Sequence, residues 1–301
     1  MCNHKSKRRI KRTLYFNVFI SRMQIFRTKE ELSEFIGAIK KQGQTIGFVP
    51  TMGALHQGHL SLIEASKNKA DISVASIFVN PTQFNDKNDF TRYPRTEEQD
   101  LHLLKIHKAD AVFIPDTTQM YGNNVDILPF DFKGLDNRYE GAHRPGHFQG
   151  VVTIVDKLFR LVEPDFVFMG EKDFQQLAIV TLLAQTSFPT IEIIGCPTQR
   201  EANGLAMSSR NMLLSKSERE HAAIIYATLA EIKENWNNTS TEQILNQAKS
   251  KLNAFPLSLE YVAIVDARTL ELLSGYTDKP AIALAAVRLG KVRLIDNLRL
   301  N

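Results

Sequence analysis

The sequence predicts an α/β protein, with a doubly wound, largely parallel sheet over residues 23–197 and a smaller α+β domain over residues 198–301. Three observations carry this. Short apolar strand patterns alternate with helical ones from Thr45 to Gly195, the pattern of βαβ units. After Pro197 the texture changes to two helices followed by three strands. The 301 residues, 43% hydrophobic and 23% charged, fit about two globular domains and exclude collagen, coiled coil and disorder.

Each element has a local reason. Thr28 with Glu31 three residues later is a capping box opening a helix to about Lys41. Thr45 to Pro50 reads as a buried strand, followed by a turn rich in Gly and His and a helix from about His59 to Lys69. Ile72 to Val79 is a second strand, Glu97 to Lys108 a polar-faced helix and Ala111 to Ile114 a third strand. From Phe148 to Val162 apolar residues recur at helical spacing, with Val151, Ile154, Val155, Leu158 and Val162 on one side. Phe166 to Met169 is a strand, Phe174 to Ser187 a helix and Ile191 to Gly195 a strand. Beyond Pro197, the pairs Ser215/Glu218 and Thr239/Glu242 repeat the capping signature, for helices reaching about Asn237 and Asn253. Leu259 to Val265, Ala281 to Val287 and Val292 to Ile295 are the closing strands.

The net charge of +4 hides an asymmetry. Residues 1–22 hold Lys5, Lys7, Arg8, Arg9, Lys11, Arg12 and Arg22 and no acid, leaving 30 of the 37 bases against all 33 acids, a net of −3. The apolar stretch Leu14 to Ile20 is short, carries Asn17 and lacks a small-x-small cleavage site. The expectation is a basic N-terminal extension, or a start placed before the true initiator Met23, with an RNA-touching arm as the alternative. Cys2 and Cys196 form neither a disulfide framework nor a CxxC pattern, which favours a reducing compartment. No apolar run approaches the ~18 residues of a membrane helix. A cytoplasmic protein with neither nucleic acid nor membrane as partner is expected.

The segment from Phe48 to His59 carries the most chemistry. A buried strand ends at Pro50, Gly53 and Gly58 allow close turns, and a helix follows. Unpaired N–H groups at that helix N-terminus suit polyphosphate, and His56 and His59, three apart, can face the same anion. There is no Gly-Lys-Ser/Thr of a Walker loop and no G-x-G-x-x-G fingerprint. Gly170-Glu-Lys-Asp173 lies at the same sheet edge; Lys172 can place a charge on phosphate oxygens, while Asp173 can accept from a ribose hydroxyl or orient the lysine. Met207-Ser-Ser-Arg210 brings two hydroxyls and a guanidinium to a short loop. Each segment alone has a plainer reading: a helix-entry turn with two solvent histidines, a solvated charged turn, and a helix-capping loop. His59 and Lys172 are expected as exposed donors at strand ends. The acids Glu97, Glu98 and Asp100 read as a favourable helix first turn before they read as magnesium ligands. Cys196 reads as a buried structural thiol, and His102 and His107 as surface residues.

His56-Gln-Gly-His59 resembles the H-x-G-H signature of nucleotidyl-transferring enzymes related to class I tRNA synthetases. The longer string Pro50-Thr-Met-Gly-Ala-Leu-His-Gln-Gly-His59 is similar to that of one family, the pantothenate synthetases (pantoate–β-alanine ligases). Asn80-Pro-Thr-Gln-Phe84, Tyr93-Pro-Arg95, Arg144-Pro-Gly-His-Phe148, Gly170-Glu-Lys-Asp-Phe-Gln-Gln176 and Met207-Ser-Ser-Arg-Asn211 continue it in order, over Met23 to Asn301. Residues 1–22 have no counterpart in the family pattern.

The resemblance implies a Rossmann-like fold and ATP-dependent condensation of pantoate with β-alanine through a pantoyl adenylate, with Mg²⁺, in a cytoplasmic homodimer. It implies catalytic roles for His56, His59, Lys172 and Arg210. ATP contacts would come from Met52, Gly53, Ala54, Leu55, His56, Gln57, Gly58 and His59, from Gly170, Glu171, Lys172 and Asp173, and from Gln199, Met207, Ser208, Ser209 and Arg210. Gln83 is placed on pantoate and β-alanine, Gln176 on pantoate and Arg144 on substrate; no metal ligand is assigned. The apolar residues Pro50, Met52, Val151 and Ile154 would pack against the gem-dimethyl group of pantoate. No activated Ser or Cys nucleophile is evident, consistent with a route that needs no covalent enzyme intermediate. Two other readings remain: a nucleotidyltransferase acting on a phosphorylated small molecule, and a non-catalytic nucleotide- or RNA-binding protein.

Overall fold

The computed structural model describes residues 23–254 and 256–301. The basic segment 1–22, on which the expectations of an extension or an RNA-touching arm fall, lies outside the described residues. Strands β1 (Gln24–Phe26), β2 (Ile46–Thr51), β3 (Ile72–Ile77), β4 (Ala111–Phe113), β5 (Phe166–Gly170) and β6 (Glu192–Cys196) form one sheet in the order β1-β4-β3-β2-β5-β6. All its pairings are parallel. The chain winds outward from β2 through β3 and β4 on one side and, from β5, through β6 on the other. The switch point is therefore between β2 and β5, where the loops beyond the two strands part and leave a crevice.

Both faces of the sheet are covered, which is why its strands read as continuous apolar runs. Helices α1 (Lys29–Lys40), α7 (His147–Val162) and α8 (Phe174–Ser187) cover one face, burying Leu32, Ile36, Val151, Leu158, Phe159 and Ile179 against Phe48 and Phe113. On the other, α2 (Gln57–Lys69) and α4 (Glu97–Ile106) bring Leu62, Ile63 and Leu104 onto Val49, Ala75 and Val112. Short helices α3 (Lys87–Arg92), α5 (Thr117–Tyr121) and α6 (Tyr139–His143) lie in the connections.

Beyond β6, α9 (Lys216–Ala222), α10 (Ile224–Asn235) and α11 (Thr241–Leu252) precede an antiparallel sheet of β7 (Leu257–Asp266), β8 (Ala281–Leu289) and β9 (Val292–Arg299) in the order β7-β8-β9. One face of that sheet packs on α10 and α11 through Leu229, Ile232, Ile244 and Leu252. On the other face, Ile282 and Leu284 join Phe174 of α8. The Ala-rich run of β8 is buried on both sides, where small residues let the layers approach.

The α/β class with a smaller α+β C-terminal part is as expected, its sheet proving antiparallel, with local corrections. Helix α2 begins at Gln57, two residues before the expected His59, because His56 is its N-cap. The helix expected from Ser215 to Asn237 breaks at Ala223, whose N–H bonds to Glu220 O at 3.3 Å in a tightened turn. The cap of α11 is Ser240, which accepts from the Gln243 N–H, rather than Thr239. The three-residue edge strand β1 was not anticipated.

Candidate active site

At the end of β2, the Thr51 hydroxyl donates to Ser76 O and accepts from the Gly53 N–H, turning the chain sharply. Gly53 and Ala54 both take positive φ, +79° and +50°. For alanine that is a strained conformation, and Asp100 holds it: its two carboxylate oxygens accept the N–H groups of Ala54 and Leu55 at 2.9 and 2.7 Å. The chain then enters α2 through a capping box made by two histidines. His56 Nδ1 accepts from the Gly58 N–H and His59 Nδ1 from the His56 N–H. Backbone donors on both Nδ1 atoms leave the proton of each neutral ring on Nε2. The rings sit 4.1 Å apart and are half-buried, so His59 is not the exposed donor expected. Burial, then the charge of Lys172, holds His59 at about 4; burial, then His59 and Lys172, holds His56 at about 2. Both are therefore neutral N–H donors at physiological pH.

Across the switch point, β5 ends in a single 3₁₀ turn, Glu171–Asp173, that carries Lys172. Its ammonium is half-buried, 3.8 Å from the Asp173 carboxylate, again not the exposed donor expected. Glu171 turns the other way and pairs with Arg299 on β9 at 2.7 Å.

The Pro81–Gln83 turn supplies one of the two predicted amides. Asn80 caps it, and Tyr121 donates to Asn80 at 2.6 Å. The Asn80 amide in turn donates to Gln83 Oε1 at 3.1 Å, while Gln83 Nε2 points at the Met52 sulfur, 3.0 Å away. Gly150 of α7 permits the close approach: a Cβ there would lie 2.3 Å from Thr82 O. His147 Nδ1 and Gln83 O are 2.8 Å apart.

The Met207–Arg210 loop closes the far wall. The Ser209 hydroxyl donates to Ala54 O at 2.9 Å, and Ser208 caps the following turn. Arg210 donates twice to Asp89 of α3, at 3.2 and 2.7 Å, and lies over the Tyr93 ring. Against burial, which lowers it, the Asp89 carboxylate raises the Arg210 pKa.

One cleft gathers His56, His59, Lys172, Asp173, Gln199, Met207, Ser208, Ser209 and Arg210 with Gly58, Gly170, Gln83, Gln176 and the apolar Pro50, Met52, Val151 and Ile154. Of the expected ATP contacts, Gly53, Ala54 and Leu55 are buried and do not line it, and the Gln57 side chain is exposed on the first turn of α2. Arg144 is not part of the cleft lining. It lines side cavities behind Lys172 and Asp173, with its guanidinium 3.1 Å from His147 Nε2 and 3.8 Å from Glu140. Because guanidinium only donates, His147 accepts at Nε2 and donates from Nδ1 to Gln83 O.

Of the acidic run, Glu97 and Glu98 lie at the surface, whereas Asp100 is buried against backbone N–H groups. Cys196 is buried, which pushes its thiol up, His102 is exposed, and His107 pairs with Glu64 at 2.9 Å. Sequence reasoning missed Asp89 and Asn297 of β9, and read Asp100 only as a first-turn acid or magnesium ligand. Among the described residues no group of three or more His, Cys, Asp or Glu forms a ready-made metal site, and no helix is long and apolar enough to cross a membrane.

A doubly wound parallel sheet with a cleft of converging N–H donors, amides and apolar residues at its switch point is the build of an α/β enzyme of small molecules. Comparison with known proteins makes this particular. The family model of pantoate–β-alanine ligase matches residues 24–299. Pantothenate synthetase of Flavobacterium psychrophilum is 45% identical over 282 residues, covering 92% of this chain and 100% of the relative. That of Porphyromonas gingivalis is 43% identical over 279 residues, covering 92% and 99%. The crystal structure of pantothenate synthetase from Thermus thermophilus superposes with a TM-score of 0.86 at 40% identity, covering 92% of this chain and 99% of the other. Pantoate–β-alanine ligase from Francisella tularensis, complexed with β-γ ATP and β-alanine, gives 0.77 at 36% identity, covering 92% and 98%. The chain belongs to the pantoate–β-alanine ligase family, enzymes of pantothenate biosynthesis.

Proposed function

We propose that this chain joins pantoate to β-alanine at the expense of ATP through a pantoyl adenylate. A pantoate carboxylate oxygen bonds to the α-phosphorus of ATP as the bond to the bridging oxygen of pyrophosphate breaks. The free amine of β-alanine then attacks the acyl carbon, AMP leaves with the carboxylate oxygen, and the nitrogen loses a proton to give the amide. The observation that carries this reading is the convergence, in one cleft, of two neutral imidazole N–H donors and Lys172 with two uncharged amides beside an apolar wall. The first group suits phosphates; the amides grip a hydroxy acid without quenching its nucleophilic carboxylate.

His59 and Lys172 act on the charge of the pentavalent transition state and the departing pyrophosphate, with His56 beside them. Arg210 reaches the phosphates from the Asp89 pair. Gln83 and Gln176 hold pantoate, and Arg144 serves Gln83 through His147. Mg²⁺ takes one or two carboxylates plus substrate phosphates, and Asp173, exposed at the cleft, would be the carboxylate to share it. When bound, that ion neutralises phosphate charge. The division near Pro197, a homodimeric assembly and a cytoplasmic location complete the reading.

Exchange of labelled pyrophosphate into ATP tests the chemistry. It is expected with pantoate present and β-alanine absent. Exchange that requires β-alanine refutes the adenylate, and exchange supported by a phosphorylated alcohol but not by pantoate favours a nucleotidyltransferase.

A further inference from the structure

We propose that Asn297, on the last strand of the C-terminal sheet, is a positioning residue for Lys172, braced in turn by the Asp296–Arg200 ion pair. The inference rests on the phosphate role of Lys172 proposed above. Lys172 sits in a single 3₁₀ turn, which is too short to satisfy its own carbonyls. A lysine side chain has a long flexible stem, so the position of its ammonium depends on how firmly the backbone beneath is held.

Asn297 does the holding. Its side-chain nitrogen donates one proton to Glu171 O at 2.9 Å and the other to Lys172 O at 2.8 Å. The amide orientation is forced, because the flipped form would set its oxygen against both carbonyls. Asn297 is only 6% exposed, so water does not readily replace it. Its own N–H donates to Asp296 Oδ1 at 2.7 Å. Asp296 receives both arms of the Arg200 guanidinium, at 2.6 and 3.0 Å, and Arg200 also donates to Asn297 O and stacks on Tyr226.

Arg200 bridges to Ala206, the residue before Met207. The lysine turn and the approach to the Met207–Arg210 loop, on two sides of the cleft, thus share one post on β9. Nothing in the local sequence of either loop requires this.

A double-mutant cycle between Asn297→Ala and Lys172→Ala tests the proposal, followed by single-turnover AMP formation and steady-state kinetics, with melting temperature as the control. Asn297→Ala is expected to lower kcat by about ten- to a hundredfold, the scale of a misplaced catalytic group. The KM for pantoate should stay within about twofold, and the double variant should be no slower than Lys172→Ala alone, because both changes remove the same contribution. Unchanged kcat in Asn297→Ala beside an impaired Lys172→Ala overturns the proposal and leaves the role of Lys172 standing. Losses that multiply in the double variant overturn it too. A Lys172→Ala protein with full turnover overturns the role of Lys172 and this inference with it. If Asn297→Ala does not fold, Asn297→Ser, which retains one donor, takes its place in the cycle under the same criteria.

Discussion

Three histidines, His147 buried and His56 and His59 half-buried in the cleft, sit where the charged imidazolium is disfavoured, and the protein should lose stability in mild acid as a result. Burial, aided by neighbouring positive charge, holds His56 at about 2, His59 at about 4 and His147 at about 3. In the unfolded chain each returns to about 6.5. Below that pH the unfolded state binds protons that the folded state refuses, so stability falls as pH drops from 6.5 towards the folded values. At pH 5 each histidine contributes about 1.5 pH units of this difference, or ~2 kcal/mol. The three together come to about 6 kcal/mol, trimmed to about 4–6 by residual solvent access, against a total stability of about 5–15 kcal/mol for a typical domain.

The carboxylates titrate in a different window. Burial raises the Glu140 carboxyl, but the Arg293 guanidinium overrides it and holds it at about 2; its stabilisation is lost only below about pH 4.5. Asp100 and Asp296, pushed up by burial, oppose the trend. Trp236, the single tryptophan, is buried and reports unfolding by fluorescence. Urea titrations between pH 7.5 and 5 should show the unfolding free energy falling steeply below 6.5. In His147→Gln the pH 7.5-to-5 difference should shrink by about 2 kcal/mol, whatever the change in absolute stability. Equal stability at both pH values, or a variant with an unaltered difference, refutes the reasoning.

Three further outcomes follow from the cleft. His59→Ala and Lys172→Ala should each lower pantoate-dependent pyrophosphate exchange by about 2–4 kcal/mol of transition-state stabilisation, the range for a preorganised donor; near-normal exchange removes that residue from the mechanism. Gln83→Ala and Gln176→Ala should act through pantoate affinity, at about 0.5–1.5 kcal/mol per lost hydrogen bond, and an effect confined to ATP affinity contradicts their placement. Gly150→Ala would drive a methyl group to 2.3 Å from Thr82 O. It should lower the melting temperature and raise the KM for pantoate by displacing Gln83, and an unchanged melting temperature refutes the tight contact.

The parts of the fold legible in the sequence are those whose signal is local. Strands β2, β3 and β5 are apolar runs bounded by turn residues, and the cap of α1 formed as Thr28 and Glu31 predict. Strand β1 has three residues and gains its identity only by pairing with β4, more than 80 positions away. The break at Ala223 has no glycine or proline anywhere in the flanking helices, so no breaker residue gives a sign of it. The same division runs through the cleft. His56, His59 and Lys172 stand where a strand passes into a helix or turn at the carboxyl edge, a position readable from pattern alone. Arg144 sits on an equally recognisable motif, yet its guanidinium turns to His147, and the motif does not encode that direction.

Asp100 shows where more could have been read. As one of three acids in the first turn of α4, it looks like a dipole-compensating surface residue beside Glu97 and Glu98. Yet Asp100 and Leu104 are the residues of that helix that are buried, one turn apart on the same face. A carboxylate at an apolar-face position must find donors there, because leaving it unpaired costs several kcal/mol. The periodicity therefore required a partner for Asp100, although not which one. The partners are the N–H groups of Ala54 and Leu55, 46 and 45 residues earlier. A backbone amide carries no residue-specific signal, so only the tertiary structure could identify it. Asn297 is the same case at a separation of 125 residues from the Lys172 carbonyl. In this cleft His56, His59 and Lys172 announce themselves by type and spacing. Asp100 and Asn297, which hold the turns beside them, bind backbone atoms, and that role is visible only once the chain is folded.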